Sequence, residues 1–391
     1  MIILKLEVDN MYMFNDFNID FTFPRKIKNT FVEHETLEYA PKIKYKKVNI
    51  IMGGNGSGKS TFGKLLLKLN QYVNGHSVNF QECIYDNNKK ARLRTLFVSG
   101  EFAFELEVIL DGTNIYRENL KTKKLCKTYN LQLLEERINN LEGDEFIRDS
   151  DIYLEENELK SILLSKQNTD IGKTTTAQYI RDTSSYCFDI GKLSISNRVI
   201  EEIKNEDLKT MEKMLKVLDP SIINIKSGQS SDIHSKETNQ EKEFYIHFSN
   251  DSKVVVPSGD PQQIKEGRIS QGTVEAIEMA YILARLDNYS SGAIYIDEKM
   301  SHMHTELERC MISKFVATIK GEAQLFITTH NENCLELNFP LHSFTFFVRD
   351  NEGIKTVNPE MYVMKNDRSL ITYVQNNVFG TIPDYGELWD E

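Results

Sequence analysis

Tryptophan occurs once, proline eight times and cysteine five times in 391 residues. The cysteines (Cys83, Cys126, Cys187, Cys310, Cys334) are scattered and odd in number. None has C-x-x-C or zinc-ligand spacing, which excludes a disulfide scaffold and a structural zinc site and points to reduced thiols in a cytoplasm. No 18-residue apolar run is present, so neither a membrane span nor a membrane partner is expected. The opening MIILKLEVDN is acidic by position 9 and has no long apolar core, unlike a secretory signal. Positive charge is also short: 47 Lys and Arg stand against 58 Asp and Glu, a net charge of −11. That excludes a surface coated for nucleic acid but leaves room for a local basic groove.

The most informative stretch is VNIIMGGNGSGKST, residues 48–61. The apolar run Val48, Ile50, Ile51, Met52 reads as a buried strand. It leads into Gly53-Gly54-Asn55-Gly56-Ser57-Gly58-Lys59-Ser60, which meets G-x-x-x-x-G-K-[ST] at every fixed position, with Thr61 following. Phe62, Leu65, Leu66, Leu67 and Leu69 then mark a helix. Strand, glycine loop and helix together separate a phosphate-binding loop from a chance match. Such a loop turns backbone N–H groups toward phosphate oxygens at a helix N-terminus. Lys59 can reach the β and γ phosphates and the Ser60 hydroxyl can ligate Mg²⁺. The stretch implies a nucleoside triphosphate.

Along the rest of the chain, residues 1–22 alternate apolar and polar and predict two strands joined near Asn10–Asn15. Residues 23–47 read as an inserted loop closed by Lys42, Lys44, Lys46 and Lys47, a solvated edge or a phosphate contact. A second basic cluster is Lys89, Lys90, Arg92, Arg94, and a third is Lys121, Lys123, Lys124, Lys127. Phe102, Phe104, Leu106, Val108 and Leu110 alternate with polar residues that include Glu105 and Glu107, a half-buried antiparallel strand, with Asp111-Gly112 as its turn. Leu131, Leu134, Ile138 and Leu141 have helical spacing, and 155–164 and 208–218 look helical too. Residues 117–218 are therefore expected to form a helical insertion lobe, with a polar Ser/Thr-rich middle at 165–195. Gly172-Lys173-Thr174 lacks the earlier glycine of a phosphate loop, having Gln167 there, and is rejected. After Asp219-Pro220, a short strand at 222–225, a polar loop at 227–241 and a hairpin from Phe244–Phe248 to Val254–Val256 are expected. In the tail, Tyr373, Val374 and Val378 suggest a short helix, followed by an aromatic extended stretch that docks on its own domain or on a partner.

Three later stretches carry chemistry. Ser270-Gln271-Gly272-Thr273 opens a helix through Ile277, Met279, Ala280, Ile282 and Leu283; taken alone it is an anion site or an ordinary cap at Ser270. AIYIDE (293–298) is a buried strand ending in Asp297 and Glu298, at the end of a strand where α/β sites lie. There Asp297 can hold Mg²⁺ through its water shell and Glu298 can take a proton from an attacking water. QLFITTH (324–330) is another apolar strand, and His330 at its end can contact a γ phosphate or simply bond a loop.

In this order the motifs resemble those of the ATP-binding-cassette ATPases. Ser270-Gln271-Gly272-Thr273 is similar to the S-x-G-T signature of the OLD-like branch, related to the SMC and RecF ATPase heads. Asp297-Glu298-Lys299-Met300-Ser301-His302-Met303-His304 resembles that branch's D-E-x-x-x-x-L-H-P, with Met303 and Thr305 in place of Leu and Pro. Phe326-Ile327-Thr328-Thr329-His330-Asn331 resembles F-x-T-T-H-S, and Leu218-Asp219-Pro220-Ser221-Ile222 resembles a segment found ahead of the signature. The match covers 1–115 and 208–350. Gln81 is the candidate for the glutamine that joins metal to a helical lobe, and Lys299 stands where many relatives are apolar or acidic.

The resemblance implies an α/β P-loop NTPase fold with a mixed sheet, an antiparallel β subdomain and a helical insertion lobe. The expected division is 1–116, 117–218, 219–350 and a tail at 351–391. It implies ATP and Mg²⁺, with Lys59, Glu298 and His330 catalytic, Ser60 and Asp297 on the metal, and Ser270 and Gly272 touching the γ phosphate of a second copy. It implies a homodimer or higher homo-oligomer. Several relatives fuse this ATPase to a Toprim nuclease with clustered acids; the stretch after Val348 holds no strand-borne acidic cluster, and this with the absence of sustained heptads favours the ATPase subunit of an anti-phage module, as in Septu- or PARIS-like systems, working with a separate effector protein. The alternative is a RecF-like repair ATPase whose partner is duplex DNA.

Overall fold

The computed structural model describes residues 1–24, 30–76, 78–112, 114–147, 187–190, 193–196, 205–229, 242–256, 270–286, 291–351, 353–363 and 369–381. The chain divides into two compact units, one of Met1–Ser184 with Phe339–Glu391 and one of Ser185–Asn338.

The first unit contains β1 (Ile2–Asp9), β2 (Phe17–Asp20), β3 (Val48–Met52), α1 (Lys59–Val73), β4 (Ala91–Ser99), β5 (Phe102–Asp111), β6 (Asn114–Lys124), α2 (Leu131–Asn139) and β7 (Asp144–Ile147). Six of these strands form an antiparallel sheet in the order β2-β1-β4-β5-β6-β7. The alternation in β5 sends Phe104, Leu106, Val108 and Leu110 inward, where they are buried. On the other face Glu105 and Glu107 meet the cations of the neighbouring strand, at 2.8 Å from Arg94 and 2.7 Å from Arg92.

The second unit contains β8 (Cys187–Ile190), β9 (Leu193–Ser196), α3 (Asn205–Leu218), β10 (Ile222–Gln229), β11 (Lys242–Phe248), β12 (Lys253–Val256), α4 (Gln271–Leu286), β13 (Ser291–Asp297), α5 (Thr305–Thr318) and β14 (Glu322–Thr328). Strand β13 pairs in parallel with both β14 and β8, and β8 pairs antiparallel with β9. Apart from their ends, β13 and β14 are continuously buried, which is why they read as unbroken apolar runs rather than alternating ones. A three-stranded sheet, β10-β11-β12, packs Ile222, Ile225, Ile246, Phe248 and Val254 with Leu208, Met211 and Leu215 of α3 and with Ala276, Ile277 and Ala280 of α4. The expected hairpin and the helix at 208–218 are both there.

The chain then returns to the first unit with β15 (Phe344–Arg349), β16 (Ile354–Val357) and α6 (Leu370–Gln375). Strand β15 is parallel to β3 and antiparallel to β16. Phe62 of α1 sits among Phe14, Phe17, Phe21 and Phe347, with ring centroids 5.3–6.3 Å away. These rings seat the helix that begins at Lys59.

Several expectations change. The helical insertion lobe is overturned over its first part: residues 117–124 and 144–147 are strands of the antiparallel sheet, with only α2 between them. Strand β6 is polar along much of its length because it pairs on both sides and carries Lys121 and Lys124 against Glu105 and Glu101. In and just beyond the polar Ser/Thr-rich middle, to which the sequence assigned no element, 187–190 and 193–196 are strands. The two compact units also differ from the four-part division drawn from the sequence. The helix expected at 155–164 and the rejected motif at 172–174 lie outside the described residues. Residues 23–47 are not a solvated loop throughout: Leu37, Ala40, Ile43 and Tyr45 join a core with α2 and the sheet. Lys46 and Lys47 are 3% and 2% exposed, and burial pushes both below the usual lysine range. Among the described residues no helix is long and apolar enough to cross a membrane.

The start of the aromatic tail docks on its own unit. Phe379 is buried, stacked 4.5 Å from Phe346 and flanked by Tyr362 and Tyr373, while residues 382–391 lie outside the described set. Phe379→Ala is expected to destabilise the first unit by about 3 kcal/mol, read as an earlier transition in urea or thermal unfolding.

Candidate functional site

The predicted site residues fall in two groups, one in each unit. In the first unit, β3 delivers the chain into the glycine loop at its C-terminal end. The loop needs glycine where it turns. Gly53 lies at φ 153°, and a Cβ there would collide with the Phe347 carbonyl and the Ser57 hydroxyl. Gly58, at φ 93°, is the left-handed N-cap of α1, and a Cβ there would strike Ile354. Lys59 is 4% exposed, and its ammonium donates to the carbonyls of Gly53 and Gly54 at 2.9 and 3.2 Å. The ammonium is thus held against the glycine loop itself. The Ser57 hydroxyl is buried without a hydrogen-bond partner among the described residues. Asn55, Gly56, Ser60 and Thr61 complete the loop and the first turn of α1.

One residue beside this loop escaped the sequence reading. Arg349, at the end of β15, is exposed, and its Nη1 lies 3.5 Å from where a Cβ on Gly56 would stand. No carboxylate pairs with it among the described residues, whereas the next acidic residue, Asp350, is taken by Lys355 at 2.8 Å. Only the parallel pairing of β15 with β3 brings it there, and no local sequence signal marks it.

In the second unit, Asp297 ends β13 and stands opposite Thr328 at the end of β14. The Thr328 hydroxyl donates to Asp297 Oδ1 at 2.7 Å and accepts the Glu298 N–H at 3.0 Å. It therefore fixes the acid and the backbone of the next residue together. Glu298 has φ 51°, in the left-handed region. Its side chain is one-third exposed and lies 2.7 Å from His330 Nε2. His330 itself is set by the turn around it. The Thr329 hydroxyl and Asn331 Nδ2 both donate to the buried carboxylate of Glu308 on α5, at 2.5 and 2.8 Å. Glu308 was not foreseen, since its partner lies 21 positions away. A partly exposed carboxylate beside an imidazole is an arrangement that can accept or orient a proton of bound water.

Ser270 and Gly272 lie at the start of α4. The Ser270 hydroxyl caps the helix, accepting the Thr273 N–H at 3.1 Å, and pairs with the Thr273 hydroxyl at 2.7 Å. Thr273 in turn reaches Asp219 at 3.5 Å, so the Asp-Pro segment ahead of the signature is physically tied to it. Gly272 packs against the backbone of the turn that follows Glu298; a Cβ on it would stand 2.9 Å from the His302 carbonyl. Gln81 lies on a short 3-10 turn, Gln81–Cys83, and its side chain is outside the described set.

Thr328→Val keeps the shape and removes the shared hydroxyl. It is expected to lower any turnover that uses Asp297 and Glu298 by about 10- to 100-fold with little loss of fold, read as steady-state phosphate release beside a melting curve.

Comparisons with known proteins show the family of the chain. No curated protein matches the sequence. Among solved structures, the chain is similar to the Smc head domain with an extended coiled coil bound to the C-terminal domain of ScpA from Pyrococcus furiosus (12% identity, TM-score 0.45, covering 97% of this chain and 99% of that one). It is also similar to the SMC head domain from Thermotoga maritima (12%, 0.41, 92% and 99%) and to the recombination mediator protein RecF with ATP (13%, 0.42, 91% and 97%). A family model described as "AAA domain, putative AbiEii toxin, Type IV TA system" matches residues 48–336, from the strand before the glycine loop to just beyond His330. That span is well over half of the chain, and the chain belongs to this AAA-domain family.

Proposed function

We propose that this protein binds and hydrolyses ATP with Mg²⁺, closes with a second copy of itself around the nucleotide, and serves as the sensor or regulatory subunit of an anti-phage defence module with a separate effector protein. The observation that carries the catalytic part is the Asp297–Thr328–Glu298–His330 constellation at the ends of two paired buried strands. The family description, which names a toxin of a type IV TA system, supports a component that works with partners.

The residues take the following roles. Residues 53–61 cradle the phosphates, and Lys59 carries the charge that the β and γ phosphates meet. Ser60 and Asp297 are the residues that would hold the metal. The ion, when bound, neutralises phosphate charge. Among the described residues no group of three or more His, Cys, Asp or Glu side chains is placed to hold a metal. That donor set suits an ion held largely by phosphate and water, as Mg²⁺ is. Glu298 accepts a proton from the attacking water or orients it, and His330 contacts the γ phosphate and registers its loss. Ser270 and the Gly272 N–H contact the γ phosphate of a second copy, so that hydrolysis loosens the pair. Arg349 adds an unpaired charge at the loop, and Arg349→Ala is expected to raise the KM for ATP roughly tenfold while kcat changes little.

Two of the three basic clusters that suggested duplex DNA are largely engaged. Arg92 and Arg94 bridge Glu7, Glu105 and Glu107; Lys121 and Lys124 face Glu105 and Glu101; Lys90 lies over Tyr116. Cations already satisfied by carboxylates release few counterions on meeting DNA.

The test is steady-state ATP hydrolysis with and without duplex DNA. A slow rate indifferent to DNA is expected, lowered roughly hundredfold or more by Lys59→Ala and by Glu298→Gln. Strong stimulation by DNA, lost in both variants, would transfer the assignment to a DNA-binding ATPase.

A further inference from the structure

Lys299 follows the carboxylate assigned to water activation, where a lysine would be expected to neutralise it. The structure sends it elsewhere. Its ammonium lies 3.1 Å from Asp189 Oδ1 and 3.1 Å from Glu278 Oε2. The three side chains are 13%, 5% and 7% exposed. Asp189 is on β8, opposite Ile296 of β13, and Glu278 is on α4. Burial opposes the charge on Lys299, but Asp189 and Glu278 outweigh it and hold it above the usual lysine range. Burial pushes the Glu278 carboxyl up to about 6.

The same turn is held at further points. On α4, Gly272, Glu275 and Glu278 are three apart and share a face. Gly272 packs on the His302 carbonyl; Glu275 accepts the His302 N–H at 3.0 Å and lies 2.5 Å from His302 Nδ1; Glu278 takes Lys299. One stripe of the signature helix is therefore keyed to residues 299–302. Immediately before them, Glu298 holds a left-handed backbone conformation that residues with a Cβ adopt uncommonly. Its N–H is held from one side by Thr328, and the Lys299 side chain anchors the chain on the other.

We propose that Lys299 is a positioning residue: its ammonium ties the turn after Glu298 to α4 and β8, and so makes the presentation of the Glu298 carboxylate depend on the position of the helix that begins Ser270-Gln271-Gly272. A ligand that settles at the start of α4 then bears on Glu298 within the same unit. This rests on the ATPase reading above.

Lys299→Met alone strands two buried carboxylates and is expected to unfold the second unit. The decisive variant is the triple Lys299→Met, Glu278→Gln, Asp189→Asn, which removes the charges together, beside Lys299→Arg, whose fork can serve both acids. Hydrolysis kinetics, binding of a fluorescent ATP analogue and melting curves are measured on each. The triple variant is expected to lose about 10- to 100-fold in kcat with analogue affinity held, and Lys299→Arg to recover most of it. Added to Glu298→Gln, the triple substitution is expected to cost nothing further, because the group it positions is already gone. A triple variant with wild-type kcat, or one that lowers the residual rate of Glu298→Gln by the same factor as the wild-type rate, overturns the proposal and leaves the ATPase reading standing. A wild-type protein without hydrolysis overturns both.

Discussion

Asp297 stands opposite Thr328 because β13 and β14 pair in parallel with Ser291 set against Glu322. Slipping that register by one residue would turn every side chain of β14 to the other face. The Thr328 hydroxyl has a single proton, given to Asp297, and a lone pair that takes the Glu298 N–H. Without that alignment the acid loses its bond, the left-handed turn at Glu298 loses its support, and the Glu298–His330 contact loses its geometry. The register is itself secured by burial: six of the seven residues of β14 and five of the seven of β13 are buried. Polar chemistry at the strand ends is held in place by apolar packing along the strands.

The electrostatics are organised locally. The antiparallel sheet of the first unit carries many cations, yet Arg92, Arg94, Lys121 and Lys124 are all matched by glutamates on neighbouring strands or turns. Exposed pairs of this kind contribute little to stability, about 0–1 kcal/mol each, but they leave that face with little net field. At the glycine loop, Lys59 and Arg349 bring positive charge to the start of α1. An acidic chain can in this way hold a strongly anionic ligand without attracting nucleic acid over its whole surface.

What could be read in advance followed from periodicity and short-range motifs. The strand–loop–helix at 48–73, the alternation of β5, the buried runs of β13 and β14, and the hairpin β11–β12 all carry their signal within a dozen residues. What could not be read depends on distant partners. Strand β6 was legible as a return strand over 114–116 but not beyond, because its lysines answer glutamates of other segments. Strand β8 is four buried residues in a polar stretch, and its place is set by β13, about a hundred positions on. Lys46 and Lys47 looked like a solvated run until the fold covered them. Lys299 stood out in the sequence only as a departure from relatives that are apolar or acidic there, and only the arrival of Asp189 and Glu278 shows where its charge goes. Arg349 has no motif at all.

The first unit is assembled from both ends of the chain, whereas the second is contiguous. During synthesis the glycine loop emerges early, but the strand that backs it, β15 with Phe347 against Gly53 and Phe62, is made almost three hundred residues later. The second unit is complete in the chain before that strand is made. The phosphate-binding loop is consequently among the last parts to gain its support, and a chain cut short before residue 344 would carry the whole motif without the strand that shapes it.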